Sequence, residues 1–421
     1  MKIGTSTGQD SPVENLWQPV VDPAQAQDYL NKLSDIVAAV MALEGDATEV
    51  GLLGGKSGLA LLLFYYEALA QDEVYGDTAM DMISDVFDRV NDGYYFHTFA
   101  SGTSGIGWTF DHLVKCGYIE SDPDLILSDL DPLLYQAMML DIHEGRFDFL
   151  HGALGCGLYF LNRETSAKAG DYLSELALGL ENIGVVDNFG RMSWESVVDM
   201  KKGTRGFNLG MSHGIASIIS FLSRLFHRGI ERKAVSRMLE SAILFLLDQK
   251  LKQSDYISVF PPFVIPGDPP SDSRLAWCYG DLGIGVALYQ AGVLTDNPKW
   301  TTEALSILRH SAGRRDLEKN SIFDASVCHG AAGVAHIFNR VFHYTRDEEF
   351  KDAALYWLEQ TMEFAMFDDG IAGFKVWHGR EADGNWVNDL NMLSGAAGVG
   401  LVLLSAVSEI EPGWDQCLLL S

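Results

Sequence analysis

The segment VCHGAAG at residues 327–333 places a cysteine and a histidine directly before a Gly-x-x-Gly, and an apolar run follows it. Upstream, WCYGDLG at residues 277–283 has the same layout, with a cysteine two residues before its first glycine. Thiol and imidazole groups are ligands that zinc prefers in proteins. We therefore predict that Cys278, Cys328 and His329 form one metal site and that the rest of the chain is the scaffold that brings them together.

The same glycine signature recurs along the chain, each time at the start of an apolar run. The leading glycines are Gly55, Gly102, Gly152, Gly214, Gly280, Gly330 and Gly395. In the copy at Gly214, Ser217 replaces the second glycine. The spacing of 47 to 66 residues leaves room for one inner helix, a link and one outer helix in each unit.

The runs on the two sides of these glycines differ in pattern. Residues 59–64 and 401–404, which follow a glycine pair, are apolar almost all round, as in a buried helix. Amphipathic segments precede the glycine pairs, for example 77–90, 168–180, 232–247 and 350–364. The pattern predicts an all-α, seven-fold α/α toroid, a double ring of inner and outer helices. Its glycine loops would crowd together at one end, so that the side chains beside them converge near the axis.

Three intervals rich in glycine or proline interrupt the helical pattern, at residues 185–209, 254–273 and 368–391. They are predicted to be loops or short strands over the mouth of the active site, since long loops are usually functional. The alternative is that they only close the end of the barrel. We expect one toroidal catalytic domain over residues 1–421, with the polar residues 1–21 as an N-terminal arm.

Composition narrows the choice of partners and compartment. The formal net charge of −28 argues against nucleic acid, which needs basic patches, and fits either attraction of a cationic peptide or a solvated surface. No apolar run reaches the roughly 18 residues of a membrane span. Five cysteines without disulfide spacing, and no signal-peptide pattern, favour a cytoplasmic location.

The three predicted metal ligands indicate a particular kind of site. Three protein ligands leave the fourth position of tetrahedral zinc open, which is typical of a catalytic site. Two thiolates would lower the net charge on the metal, so thiol chemistry is favoured over the activation of water. His213 precedes its repeat glycine as His329 does and would face the same space. It is predicted to be an acid or base or a further ligand, with a structural histidine as the alternative.

Other polar residues beside the loops are candidates for the same site. Asp148 lies four residues before a repeat glycine and would orient a histidine. Arg274 lies four residues before a metal-site cysteine and would hold a substrate carbonyl or an oxyanion. Tyr279 is either a hydrogen-bond donor or a packing residue. His151 and Cys156 flank the third glycine pair and are candidates to line the cavity, but for both we favour a packing role.

Three motifs carry a resemblance to a known family. SHG at 212–214, WCYG at 277–280 and CHG at 328–330, in this order on a seven-unit repeat, resemble the lanthionine synthetase C-like proteins, in particular the stand-alone lantibiotic cyclases. The resemblance covers essentially the whole chain and implies a seven-fold α/α toroid with one zinc. It implies zinc ligation by the two cysteines and the histidine named above, and roles in catalysis for Asp148, His213, Arg274 and Tyr279.

The resemblance also implies a reaction. The substrate would be a ribosomal precursor peptide, leader plus core, whose serines and threonines have been dehydrated by another enzyme. A zinc-bound cysteine thiolate would add to dehydroalanine or dehydrobutyrine and close a lanthionine or methyllanthionine thioether ring. His213 would carry the proton, oriented by Asp148, and Arg274 would stabilise the enolate. A dehydratase and an exporter are the expected partners, and they would hold the cytoplasmic protein at the membrane.

Other functions stay open at this stage. One is a family member that adds glutathione to dehydro residues. Another is a zinc-dependent thiol prenyltransferase, although the chain shows no basic cluster for a diphosphate. A third is a non-catalytic scaffold within a lanthipeptide synthetase complex.

Overall fold

The computed structural model describes residues 17–43, 49–199, 201–379 and 385–421. It is mostly helical, and none of the helices in these residues is long and apolar enough to cross a bilayer. In chain order the helices are α1 (Ala26–Met41), α2 (Lys56–Ala70), α3 (Glu73–Asn91), α4 (Thr103–Lys115), α5 (Pro123–Leu127), α6 (Asp131–His143), α7 (Ala153–Asn162), α8 (Ala169–Ile183), α9 (Ile215–His227), α10 (Arg232–Asp248), α11 (Asp281–Leu294), α12 (Pro298–Ala312), α13 (Ala331–Thr345), α14 (Glu348–Glu363) and α15 (Ala396–Val407), followed by a 3₁₀ helix (Gly413–Leu418).

Seven of these helices form a closed inner ring. They are α2, α4, α7, α9, α11, α13 and α15; each contacts the next, and α15 contacts α2. Each begins directly after one of the seven leading glycines. The outer helices α1, α3, α6, α8, α10, α12 and α14 alternate with them along the chain. All ten residues of α7 are buried, as expected for an inner helix. The predicted seven-fold α/α toroid is confirmed.

Glycine is required where the loops pack most tightly. Gly280 has φ +98°, a conformation that residues with a side chain rarely adopt. A Cβ there would lie 2.2 Å from the backbone oxygen of Arg274. At Gly398 a Cβ would lie 1.9 Å from the backbone oxygen of Met392 and 2.8 Å from a methyl carbon of Val327 in the preceding repeat. These glycines therefore allow the loops to approach one another at one end of the ring.

Short strands occupy the three intervals that interrupt the helices. The strands are β1 (Val185–Val186), β2 (Met192–Ser193), β3 (Ser196–Asp199), β4 (Thr204–Asn208), β5 (Phe263–Val264), β6 (Val376–Trp377) and β7 (Trp386–Val387). All pairs are antiparallel, in the orders β1-β2, β3-β4-β5 and β6-β7. β4 ends five residues before His213, and the carboxylate of Asp324, in the loop before α13, accepts the Trp377 backbone N–H of β6 at 3.0 Å. The β3-β4-β5 and β6-β7 groups therefore lie at the glycine-loop end of the toroid.

The last residues of the expected N-terminal arm pack against the toroid. The indole N–H of Trp17 donates to the Ser405 carbonyl at 2.8 Å, and Trp17 is 3% exposed. The backbone N–H groups of Val20 and Val21 donate to the Ala406 carbonyl at 3.0 and 3.1 Å. The arm prediction is therefore wrong for residues 17–21, because their apolar side chains are buried against α15. Residues 1–16 lie outside the described part of the chain.

The C-terminal segment fills the ring from the end away from the glycine loops. Asp415, in the 3₁₀ helix, is fully buried and accepts hydrogen bonds from His336 at 2.7 Å and Arg340 at 2.8 Å, both on α13. Burial raises the pKa of Asp415, but the charge of Arg340 and the bond from His336 outweigh it and bring the pKa to about 2. The Trp277 indole N–H donates to the Leu418 carbonyl at 2.8 Å, so the segment reaches the loop that carries Cys278.

Candidate metal centre

A ring of backbone hydrogen bonds joins the glycine loops of successive repeats. Six of the seven neighbouring pairs are joined in this way. The N–H donors and C=O acceptors are Leu53 to Ala100, Phe99 to Leu150, Ser212 to Cys278, Cys278 to Cys328, Cys328 to Leu393, and Leu393 to Leu53. Between the third and fourth loops, the side chains of Asp148 and His213 make the connection. The ring holds residues that are distant in sequence next to one another near the axis.

Cys278, Cys328 and His329 meet in this ring. Their ligand atoms all lie within 4.8 Å of one another. Cys278 is 4% exposed, and Cys328 and His329 are half-buried. The backbone bond from Cys278 N–H to the Cys328 carbonyl, at 3.3 Å, brings the two cysteine loops together. The structure thus assembles the predicted set of ligands, which suits a soft, tetrahedral metal ion with one position open to a substrate.

The two thiols shift each other's pKa in opposite directions. A hydrogen bond from Cys328 lowers the pKa of Cys278 well below its ordinary value; burial opposes this shift, and His329 and Arg274 assist it. The same hydrogen bond, together with burial, raises the pKa of Cys328 well above its ordinary value. A thiolate is therefore favoured at Cys278 in this pocket, which is the protonation state that metal ligation needs.

His213 and Asp148 form a hydrogen-bonded pair across the third and fourth loops. Nδ1 of His213 donates to Oδ2 of Asp148 at 2.5 Å, and both side chains are about one-third exposed, at 31% and 28%. Burial lowers the pKa of His213, but the hydrogen bond and the charge of Asp148, with a contribution from Cys278, raise it above its ordinary value overall. Since Nδ1 is held by the carboxylate, Nε2 is the nitrogen left to exchange a proton with a substrate.

Arg274 and Tyr279 border the same site. The positive charge of half-buried Arg274 acts on both cysteines, because it lowers the pKa of each. The Tyr279 ring lies 6.2 Å from the His213 ring, centroid to centroid. Burial and the nearby Cys278 raise the pKa of Tyr279 and outweigh the opposing effect of Asn208 and Ser212, so the side chain remains a neutral phenol.

His151 borders this site, although the sequence analysis favoured a packing role over a place in the cavity. Cys156 is fully buried, as expected for a packing residue, but His151 is exposed. The His151 ring is stacked on the His213 ring with centroids 5.9 Å apart. A sequence signal was available. His151 directly precedes its leading glycine, as His213 and His329 do in their repeats, and the positional argument applied to His213 holds for it equally.

Taken together, the geometry combines a soft metal site with an acid–base pair and a cation. The site offers a place for a thiolate, an imidazole held by a carboxylate, and a guanidinium whose charge acts on both cysteines. Such a set can activate a sulfur nucleophile, supply a proton and stabilise developing negative charge.

Comparison with known proteins places this fold and site in a family. The chain resembles the solved structure of nisin cyclase with a TM-score of 0.74 and 19% identity, over 95% of this chain and 98% of that one. A cellobiose 2-epimerase from Bacillus thermoamylovorans B4167 has a TM-score of 0.46 at 11% identity, over 91% and 99%. No curated protein matches by sequence.

The likeness to nisin cyclase shows the fold, and the family to which the chain belongs follows from a separate match. Residues 46–419 match the family described as "Lanthionine synthetase C-like protein". This span includes all seven glycine loops and the residues of the candidate metal centre. The chain therefore belongs to the lanthionine synthetase C-like family.

Proposed function

We propose that this protein is a zinc-dependent peptide cyclase. It adds cysteine thiols of a dehydrated precursor peptide to dehydroalanine or dehydrobutyrine residues of the same peptide, forming lanthionine and methyllanthionine rings. The observation that carries this proposal is the convergence of two thiols and an imidazole within 4.8 Å, in the same ring of loops as a histidine–carboxylate pair at 2.5 Å. Family membership and the likeness to nisin cyclase support it.

The donor set fits zinc. Cys278, Cys328 and His329 would hold the ion and leave one tetrahedral position for the substrate. The chemistry that zinc supplies when bound is loss of the thiol proton on coordination, which leaves the substrate sulfur as a nucleophile at neutral pH. Two anionic sulfur ligands suit this role, because they limit the positive charge on the ion and keep the substrate thiolate reactive.

His213 is the proposed proton donor. A bond forms between the peptide sulfur and the β-carbon, the carbon–carbon double bond is used up, and a proton must reach the α-carbon. Asp148 raises the pKa of His213 against the lowering effect of burial, which favours the protonated ring, and it fixes the ring through Nδ1, so Nε2–H is the group that donates. After donation the imidazole is neutral and takes up a proton before the next cycle.

Arg274 and Tyr279 have supporting roles in the proposal. As the sulfur adds, negative charge moves to the carbonyl oxygen of the dehydro residue. The guanidinium of Arg274, whose charge already acts on both cysteines, would stabilise this enolate. Tyr279 is a positioning residue, because its ring lies beside the His213 ring with centroids 6.2 Å apart.

The proposed substrate arrives from another enzyme. A dehydratase must first remove water from the serines and threonines of a ribosomal peptide, and an exporter would take the ringed product away. Both steps act on a leader and core peptide in the cytoplasm, where we place this protein, with partner proteins as its link to the membrane. A net charge of −28 would favour encounter with a cationic peptide.

The direct test uses a model peptide with one dehydroalanine and one cysteine. Ring closure leaves the peptide mass unchanged, so it is measured as loss of alkylation of the free thiol in the mass spectrum. The zinc-loaded protein is expected to close the ring, treatment with a strong chelator to stop the reaction, and added zinc to restore it.

A parallel incubation separates this function from glutathione addition. It contains glutathione and the same peptide with serine in place of cysteine, and a mass increase of one glutathione would report the competing reaction. Faster addition of glutathione than ring closure would contradict the cyclase proposal. Ring closure that survives chelation would contradict the role of zinc.

A further inference from the structure

Histidine occupies the same position in three of the seven repeats. His151, His213 and His329 each directly precede a leading glycine. His329 belongs to the proposed metal site, and His213 is the proposed proton donor. The function described so far gives His151 no role, although it is exposed and its ring is stacked on the His213 ring at 5.9 Å with an interplanar angle of 23°.

One carboxylate contacts both histidines, the ring of His213 and the backbone of His151. Oδ2 of Asp148 accepts the Nδ1–H of His213 at 2.5 Å, and Oδ1 accepts the backbone N–H of His151 at 2.7 Å. Asp148 therefore holds the His213 ring directly and the His151 backbone beside it. Among the residues that the structure describes, no hydrogen bond is made by the His151 ring, so both of its nitrogens are available to water.

The two rings differ in their affinity for protons. Burial lowers the pKa of His151 and the nearby His213 lowers it further, while the charge of Asp148 opposes both effects. Asp148 raises the pKa of His213. Asp148 and His213 are the charged groups that act on His151. Where the surroundings shift the pKa values of two neighbouring groups in opposite directions, the group with the higher pKa serves as the acid and the other as the base.

We propose that His151 is the proton-relay residue that recharges His213 after each turnover. This inference rests on the proposed cyclisation. When the substrate thiol gives up its proton to solvent and His213 protonates the α-carbon, His213 is left neutral. Neutral, exposed His151 accepts a proton from solvent water and passes it to His213 through one bridging water, a step that the 5.9 Å ring separation allows. The proton released by the thiol is thereby balanced by the proton gained at carbon, and both rings return to their starting states.

The kinetic test compares His151→Gln with His143→Gln in the zinc-loaded protein. His143 is an exposed histidine at the end of outer helix α6, so its replacement should leave the rate unchanged. With the dehydroalanine–cysteine model peptide in dilute buffer, His151→Gln is expected to lower kcat by about tenfold or more, with KM and zinc content unchanged. Free imidazole in solution should restore the rate, because it can replace the relay. A kcat within twofold of wild type, or a loss that imidazole does not restore, would overturn the proposal.

A second readout does not depend on activity. Titration of the histidine ring protons by NMR is expected to show His151 titrating below its ordinary pKa and His213 above it. In His213→Gln the pKa of His151 should rise, because a neighbouring positive charge is removed. An unchanged His151 titration in that variant would show that the rings do not communicate and would overturn the relay. If the wild-type protein fails to close any ring, the cyclase proposal fails, and this titration still decides whether the histidines are coupled.

Discussion

Replacing His213 by asparagine is expected to lower the rate of ring closure by about two to four orders of magnitude while zinc stays bound. The physical reason is the loss of a positioned general acid, a group that typically contributes this much. Asparagine keeps a polar side chain near Asp148 but cannot deliver a proton to the α-carbon. The measurement is kcat with the model peptide, beside zinc content. His227→Asn, an exposed histidine at the last residue of α9, is the matched control and should keep its activity.

The pH dependence follows from the direction of the His213 shift. Asp148 raises the pKa of His213 above its ordinary value although burial lowers it, and the rate should fall as the pH rises through that raised pKa. Asp148→Asn removes the negative charge that raises the pKa of His213, so the rate should begin to fall at a lower pH than in the wild type. A His213→Asn variant that retains more than one-tenth of the wild-type rate, or an Asp148→Asn profile that matches wild type, would contradict the assignment.

The second large effect concerns the stability of the fold and Asp415, at the end of the ring away from the glycine loops. Asp415→Ala is expected to lower the free energy of unfolding by about 3 kcal/mol, because it removes the buried carboxylate partner of Arg340 and leaves this buried guanidinium paired with the more exposed carboxylate of Glu411. His336 loses its hydrogen bond as well. Chemical denaturation of the wild type and the variant measures the difference. Asp369→Ala is the control, since the side chain of Asp369 is 79% exposed and its pair with Lys375 should contribute little.

Acid unfolding tests the same network. The pKa of Asp415 is about 2 in the folded protein and about 3.9 for an unfolded aspartate, so its stabilising contribution is full above about pH 4. That contribution is lost as the pH falls from about 4 toward 2. Asp415→Ala should therefore show a weaker loss of stability over this window. Equal acid sensitivity in the two proteins, or a change in unfolding free energy below about 1 kcal/mol, would contradict the account.

The sequence was sufficient to predict the toroid because its decisive signals are local. Each leading glycine marks the first turn of an inner helix, and the apolar pattern that follows differs from the amphipathic pattern of the outer helices. The interruptions at 185–209, 254–273 and 368–391 contain short strands, as glycine and proline content indicated. The order of the repeat then places equivalent residues at one end of a closed ring.

The features that the sequence missed depend on contacts across long separations. Trp17 is buried, and its indole hydrogen-bonds to the Ser405 carbonyl. No local sequence pattern reveals this contact across the chain, so the sequence predicted an arm for residues 17–21. The C-terminal segment enters the ring through Asp415 and Leu418, whose partners lie on α13 and beside Cys278. Such long-range pairings are set by packing, and a single sequence does not display them.

The candidate site illustrates both cases. The position of Cys278, Cys328 and His329 in their repeats predicted that they form one site. In the structure their ligand atoms lie within 4.8 Å of one another. The family resemblance had already implied that Asp148 orients His213, and the structure shows the two side chains hydrogen-bonded across adjacent loops at 2.5 Å. His151 was assigned to packing because one histidine beside a helix start is usually structural. Its equivalence to His213 in the repeat was the stronger signal. The catalytic roles given to these residues remain predictions.

The measurement that tests the central claim most directly is the zinc content of the purified protein beside Cys278→Ala and Cys328→Ala. Cys116→Ala is the control, because this exposed cysteine at the end of α4 lies off the metal centre. The account predicts about one zinc per chain in the wild type and in the control, and its loss in both metal-site variants. A wild-type protein that holds no zinc after reconstitution, or metal-site variants that keep it, would contradict the account.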